Sequence, residues 1–345
     1  MTLPFVSVVI PAYNEESQIA RCLKSVIETG YPNLEIIVVD DNSTDSTVEV
    51  ASKYPVQVIR RQLRGGIAAA RNDGVEAARG KIVAFVDSDC AVDKPWLDLL
   101  LSHYADSKIA GVGGVIGTRD SSLIAKYRSF LGREEYADSP NPVCGTLCIP
   151  GGNSSYRTDV FHSIGGFDPA FARPRGYEEL ELGYRLTEGG YVLVGEPRAV
   201  VWHLREGSLR GWIALAYATG YVALRFLGRY RRRRFLGLQV RQIAFLVLLI
   251  LFAISLTGII SLPSVILVGE GALLLETLRV VIRSFRAIVH YRNPAYLVMV
   301  PVELMLTAIS CLGYAVALLT ALWGSTRGLA GRLLSTHCPV PPREA

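Results

Sequence analysis

Two aspartates one residue apart, Asp87 and Asp89, follow directly on the apolar run Lys81–Val86. At a strand exit such a pair brings two carboxylates near one point. A hard divalent ion such as Mg²⁺ or Mn²⁺ is held by a few carboxylates together with phosphate oxygens. The bland reading of the same residues is a solvated turn with a helix cap. Asp40 and Asp41 end a second apolar run, Leu34–Val39. Asp-Asn-Ser is turn material, yet Asp41 is also able to accept a hydrogen bond from the N–H of a pyrimidine base. Arg64 and Arg71 are cations that would meet phosphates or remain surface charge. Glu178-Glu179 opens a helix-spaced segment, where an acid pair commonly complements the helix dipole. His203 follows Trp202 and, taken alone, reads as a satisfied histidine.

The elements around these residues put three of the clusters on one edge. Phe5–Pro11 is β-rich, Glu15–Thr29 has helical spacing, and Leu34–Val39 is a second strand. A helix capped by Ser43 or Thr44, a strand at Val56–Ile59, a small-residue helix at Gly65–Ala78 and the strand before Asp87 follow. Strand alternating with helix over short turns predicts a parallel sheet with crossover helices. Ligands of such sheets bind beyond the carboxyl ends of the strands. The exits there are Pro11-Ala12-Tyr13-Asn14-Glu15, Asp40-Asp41 and Asp87-Ser88-Asp89. Gly65-Gly66 fits neither G-x-G-x-x-G nor a phosphate-loop pattern, which argues against a dinucleotide oxidoreductase or a P-loop NTPase. Residues 110–235 are less regular, with turns at Gly151-Gly152 and Gly165-Gly166 and a strand at Tyr191–Val194.

Half of the 345 residues are hydrophobic and 19% are charged, a composition that excludes disorder and a small disulfide scaffold. Six cysteines form no framework and read as reduced thiols. No basic, then apolar, leader opens the chain, so the first half is expected in the cytoplasm. The apolar residues crowd into the second part. Gln242–Leu262 and Ala295–Trp323 read as membrane spans. Pro263–Ile282 reads either as a third span or as an amphipathic surface helix, with Glu276, Arg279, Arg283, Arg286 and His290 at helical spacing. Positive-inside placement of the basic linker Arg279–Arg292 favours three spans over two. The arginines at 225, 229 and 231–234 abut the first apolar run, and so read as a cytoplasmic juxtamembrane segment rather than a nucleic-acid site. The expected layout is a catalytic domain at 1–208, an amphipathic and basic segment at 209–235, a membrane region at 236–324 and a tail at 325–345.

Eight pieces of the chain, in order, carry a family likeness: VSVVIPAYNEE (6–16), IIVVDDNSTDST (36–47), GGIAAARNDGVEAARG (65–80), VAFVDSDC (83–90), GGNSSYR (151–157), GGFDPAF (165–171), EELELGYRL (178–186) and VVWH (200–203). The chain resembles family 2 glycosyltransferases of the GT-A fold. Its apolar tail is similar to membrane-bound members that elongate lipid-linked exopolysaccharide units, the succinoglycan type. The resemblance implies an α/β, mostly parallel, Rossmann-like sheet followed by a transmembrane helical region. It implies that Pro11, Tyr13, Glu15, Asp41, Arg71 and Asp87 bind the nucleotide, and that Asp89 and His203 ligate Mg²⁺ or Mn²⁺. The family pattern has Glu-Asp before the last helix, with the Asp as general base. Here Glu178-Glu179 stands in its place, making Glu179 the base by position. No Q-x-x-R-W follows, so processive synthesis is not expected. The implied activity is inverting, metal-dependent transfer from a UDP- or GDP-linked sugar to a polyprenyl-linked saccharide on the cytoplasmic face of the membrane. Charging of the polyprenyl phosphate itself and an inactive membrane scaffold are the alternatives.

Overall fold

The computed structural model describes residues 3–131, 135–172, 177–204, 263–292 and 294–309, together with 213, 216, 217 and 229. Strand β1 (Val6–Ala12) is buried along its whole length, and β2 (Leu34–Asp40) is buried over its last five residues. This is the pattern of strands covered on both faces, and it explains their unbroken apolar runs. Between them α1 (Ile19–Ile27) buries Ile19, Cys22, Leu23 and Val26, the stripe a helix of period 3.6 lays against a sheet. Then come α2 (Thr47–Ala51), β3 (Gln57–Arg60), α3 (Ile67–Ala77), β4 (Ile82–Val86), β5 (Cys90–Val92) and α4 (Trp96–Leu101). They are followed by β6 (Ile109–Thr118), α5 (Leu123–Leu131), β7 (Val143–Cys144), β8 (Asn153–Arg157), α6 (Thr158–Ser163), α7 (Pro169–Ala172), α8 (Glu178–Glu188) and β9 (Val192–His203). Beyond them lie α9 (Pro263–Tyr291) and a 3₁₀ turn at Pro294–Val298.

The nine strands form one sheet in the order β3-β2-β1-β4-β8-β6-β9-β5, with β7 paired to β9. The pairs β1–β2, β1–β4, β2–β3 and β6–β9 are parallel. The pairs β4–β8, β6–β8, β5–β9 and β7–β9 are antiparallel. The sheet is therefore mixed, and the expectation of a mostly parallel one holds from β1 to β4 and again only for the β6–β9 pair. Up to β4 each crossover helix returns the chain to the same end. Strand β8 instead starts at the carboxyl edge, with Asn153 opposite Val86, and so runs back. This reversal delivers Gly151-Gly152 to the edge where β4 ends.

Side chains alternate across the sheet. Val6, Val8 and Ile10 face a core shared with α1 and α4, while Val9 faces one shared with α3, α6 and α8. Trp96 is fully buried in the first core, its indole N–H donating to Asn153 Oδ1 at 2.7 Å. A third, smaller core joins α5 to the C-terminal helices through Tyr127, Ala287, Tyr296, Met299 and Leu306.

Among the described residues no helix is long and apolar enough to cross a membrane. The middle candidate span, Pro263–Ile282, is part of the 29-residue α9. Glu270, Glu276 and Arg279 break its apolar run, so the third span does not stand. The candidate span Gln242–Leu262 and the amphipathic and basic stretch Leu209–Arg234 lie outside the described residues apart from isolated positions, as does the second half of Ala295–Trp323.

Candidate active site

The loops leaving β1 and β2 are stitched together. Asn14 sits at φ 54°, a left-handed conformation that asparagine tolerates better than most residues. Its backbone N–H donates to Ser43 Oγ at 2.9 Å, and its Oδ1 accepts from the Thr44 N–H at 2.9 Å. The Glu15 N–H donates to Thr47 Oγ1 at 2.7 Å. Pro11 and Glu15 are buried and Tyr13 is half-buried, with the Arg64 guanidinium 3.6 Å from the centre of its ring. Asp41 is buried. Its Oδ1 accepts from Arg61 Nη1 at 2.6 Å and from the Gly65 N–H at 2.7 Å, and its Oδ2 accepts from the Gly66 N–H at 2.7 Å. Asp41 thus shapes the glycine turn at the start of α3, where Gly66 has φ 87°. Arg61 also binds Asp73 on α3.

Beneath the edge lies Arg71, 1% exposed. It donates through Nη2 to Asp87 Oδ1 at 2.9 Å. Its Nη1 faces Glu179 at 3.5 Å and Glu178 at 3.8 Å, and neither Nη1 nor Nε has a hydrogen-bond partner among the described residues. One buried cation therefore links three carboxylates from β4 and α8. Burial raises the pKa of Glu179, and the neighbouring Glu178 raises it further. Arg71 pulls the other way, and the balance lies at about 7. A carboxyl poised there can take up a proton near neutrality. Gly151 and Gly152 leave the room for this cluster. A β-carbon at Gly151 would strike Arg71 and Glu179, and one at Gly152 would strike the Asp87 carboxylate.

The other half of the site is made by β5 and β9. Cys90 and His203 stand opposite one another in that antiparallel pair, and the Leu204 N–H donates to the Asp89 carbonyl at 2.8 Å. His203 Nε2 lies 3.4 Å from Asp89 Oδ2. Donor atoms of Asp89, Cys90 and His203 all fall within 4.8 Å of one another. An oxygen and an imidazole nitrogen this close form a donor set that a divalent ion accepts.

The fold and this geometry agree with what relatives show. Residues 7–165 match the family model described as "Glycosyl transferase family 2". The chain is 32% identical over 250 residues to glycosyltransferase AglE of Haloferax volcanii, covering 62% of this chain and 80% of that protein. The chain belongs to family 2 of the glycosyltransferases. This glycosyltransferase is also 32% identical over 219 residues to the pre-mycofactocin glycosyltransferase of Mycobacterium tuberculosis, covering 61% of this chain and 44% of that protein. In fold it is similar to the mannosyltransferase PcManGT from Pyrobaculum calidifontis, solved in complex with GDP-Man and Mn²⁺. The TM-score is 0.60 at 21% identity, with 92% of this chain and 87% of that one covered.

The residues singled out in the glycosyltransferase's sequence fall into three groups on the one edge: Pro11, Tyr13, Glu15 and Asp41 at the first two strand exits, Asp87 with Arg71, Glu178 and Glu179 at the third, and Asp89 with His203 beside it. Sequence reasoning gave no part to Arg61, to the Gly151-Gly152 pair or to Cys90. The double glycine that opens the recognised piece GGNSSYR was the available signal for the second. Cys90 had none, because its register opposite His203 is invisible in the chain.

Proposed function

We propose that this glycosyltransferase moves a sugar from a UDP- or GDP-linked donor to a lipid-linked saccharide at the cytoplasmic membrane, with inversion at the anomeric carbon and with Mg²⁺ or Mn²⁺ bound. The observation that carries this reading is Glu179, raised to about 7 and tied through Arg71 to Asp87, two residues from Asp89. The complex of PcManGT with GDP-Man and Mn²⁺ supports a nucleotide-sugar donor and a divalent ion.

In this mechanism the nucleoside lies over the first two exits, against Tyr13 and Arg64. Asp41 holds the Gly65-Gly66 turn, and its Oδ2 keeps a lone pair for a base N–H. Asp87 meets the ribose, and Asp89 and His203 are the residues that would hold the ion. When bound, the ion offsets the charge that builds on the departing diphosphate. Arg71 keeps Asp87 and Glu179 in register from beneath the site. Glu179 takes the proton from the acceptor hydroxyl as that oxygen attacks the anomeric carbon. The bond to the diphosphate breaks on the opposite face, so one displacement inverts the centre. The extra methylene of Glu over Asp extends the base toward the acceptor.

The test is nucleotide release by the purified protein across a panel of nucleotide sugars, with Mn²⁺, with Mg²⁺ and with EDTA. Release of UDP or GDP from one donor, stopped by EDTA, is expected. Adding bare polyprenyl phosphate in one arm and a glycosylated carrier in another separates charging of the carrier from elongation. No release and no donor binding in any arm would overturn the reading in favour of an inactive scaffold.

A further inference from the structure

Helix α9 presents two faces with opposite character. Val280, Ser284 and Ala287 are buried; Ala287 packs in the core shared with α5 and the 3₁₀ turn, and the Tyr127 hydroxyl lies 2.9 Å from Ser284 Oγ and donates to Glu303 Oε2 at 2.5 Å. Arg283 closes this buried cluster by pairing with Glu303. On the other side Leu278, Val281, Ile282, Phe285 and Val289 are exposed, Phe285 to 61% and Val289 to 64%. Their three- and four-residue spacing makes one continuous stripe. Soluble surfaces rarely carry such a stripe without an occupant. Beside it is a notch of about 340 Å³ lined by Leu278, Arg279, Ile282, Arg283 and Arg286, which sets basic and apolar side chains next to one another.

We propose that this face of α9 lies in the plane of a bilayer, with the stripe among the acyl chains and Arg279 and Arg286 at the phosphates of an anionic phospholipid in the notch. The proposal rests on the membrane reading given above and replaces a third span with an interfacial helix. Charge complementarity selects the occupant. An apolar face flanked by arginines is the composition of a helix lying in the headgroup layer. Arginine stems run along apolar surface while the guanidinium reaches the phosphate, and each such arginine is worth roughly fivefold in partition to an anionic surface. The geometry also carries the site to the membrane. Helix α5, on which α9 packs, begins at Leu123, five residues after Thr118, and Thr118 is in register with His203. A bilayer under α9 would thus lie near the edge where a lipid-linked acceptor must enter.

The test uses the full chain in vesicles of phosphatidylcholine, with and without phosphatidylglycerol. Spin labels are placed at Phe285→Cys and Val289→Cys, and at Glu49→Cys on the exposed part of α2 as an aqueous control. The background carries Cys144→Ser, Cys148→Ser, Cys311→Ser and Cys338→Ser, Cys22 and Cys90 being buried. Flotation reports whether the protein is on the vesicle at all. The expected result is flotation, with labels 285 and 289 relaxed by oxygen and shielded from a water-soluble nickel chelate, while label 49 shows the reverse. The two labels are also expected to sit deeper with phosphatidylglycerol, and to lose that increment in Arg279→Gln/Arg286→Gln. If the protein floats while 285 and 289 meet the nickel chelate, the proposal falls and the membrane reading survives. Labels shielded from both reagents would mean that protein covers the stripe, which also overturns it. Inorganic phosphate at matched ionic strength is expected to leave the labels in place; their release would mean a site for free phosphate instead of lipid. A protein that does not float removes the membrane reading and this inference together.

Discussion

Replacing Glu179 by Gln is expected to stabilise the protein while cutting turnover by about 10²–10⁴-fold. Glu179 titrates at about 7 in the folded chain against an ordinary value of 4.5, chiefly because burial disfavours its charged form. The folded state therefore binds this proton more tightly than the unfolded state. Its contribution is most favourable below pH 4.5, declines as pH rises from there to about 7, and is a constant penalty above. At about 1.4 kcal/mol per pKa unit, and allowing for a side chain 23% exposed, the penalty at pH 8 is about 2–3 kcal/mol. Glutamine keeps the shape and cannot ionise, so it removes this penalty. For a domain of this size that corresponds to roughly 5–10 °C in Tm. The assay is thermal unfolding of wild type and Glu179→Gln at pH 8 and at pH 4. A higher Tm for the variant at pH 8 that converges with wild type at pH 4 is expected. A variant equal to or below wild type at pH 8 would refute the assignment of a strained, buried carboxylate.

Arg71→Met removes the cation that stabilises ionised Glu179, so the acid limb of the kcat/KM profile, expected near pH 7 in wild type, should move up by about one unit or more; an unmoved limb would dissociate Arg71 from the base. Gly152→Ala drives a methyl into the Asp87 carboxylate and should cost about 1–3 kcal/mol of stability together with most of the activity, whereas Gly145→Ala, with nothing within 4 Å but a φ of 82°, should cost some stability and spare activity. Asp41→Asn weakens the bonds to Arg61 and to the Gly65 and Gly66 amides, and is expected to raise the KM for donor more than it lowers kcat. His203→Ala should weaken Mn²⁺ binding, followed by electron paramagnetic resonance, by about tenfold or more without unfolding the chain.

The first 90 residues were legible because β1, β2 and β4 are buried over most or all of their length and end in polar clusters, so apolar runs and turn residues marked the elements in the chain itself. The sheet beyond β4 was not. Strand β6 carries glycines at 111, 113, 114 and 117, which erase the strand signal. They are there because a β-carbon would strike the Tyr156 ring, Ile149, the Ala199 carbonyl and the Trp202 ring respectively. Strand β8, Asn153–Arg157, is polar for a central strand, and its residues read as a turn. Ser155 accepts its place by donating to the Val112 carbonyl, and Asn153 by donating to Val115 and Ala199. The acid, histidine and Arg71 positions were named from motifs, while the link that Arg71 makes between Asp87 and Glu179 became visible only when α3, β4 and α8 were brought together. Charge in the run 263–282 could be read as a span's blemish or as a surface helix. Beyond that run, Ser284 and Ala287 are buried opposite exposed Phe285 and Val289, so the C-terminal part of α9 is a helix with one covered face.

Glu179 as the base of a nucleotide-sugar transferase is tested by two measurements on the same Glu179→Gln protein. Donor affinity is measured by calorimetry, and turnover by nucleotide release in the presence of acceptor and Mn²⁺. Unchanged donor affinity with turnover reduced by about 10²–10⁴-fold is the expected result. Turnover equal to wild type at equal affinity would contradict it and send the search for the base elsewhere along the sheet edge.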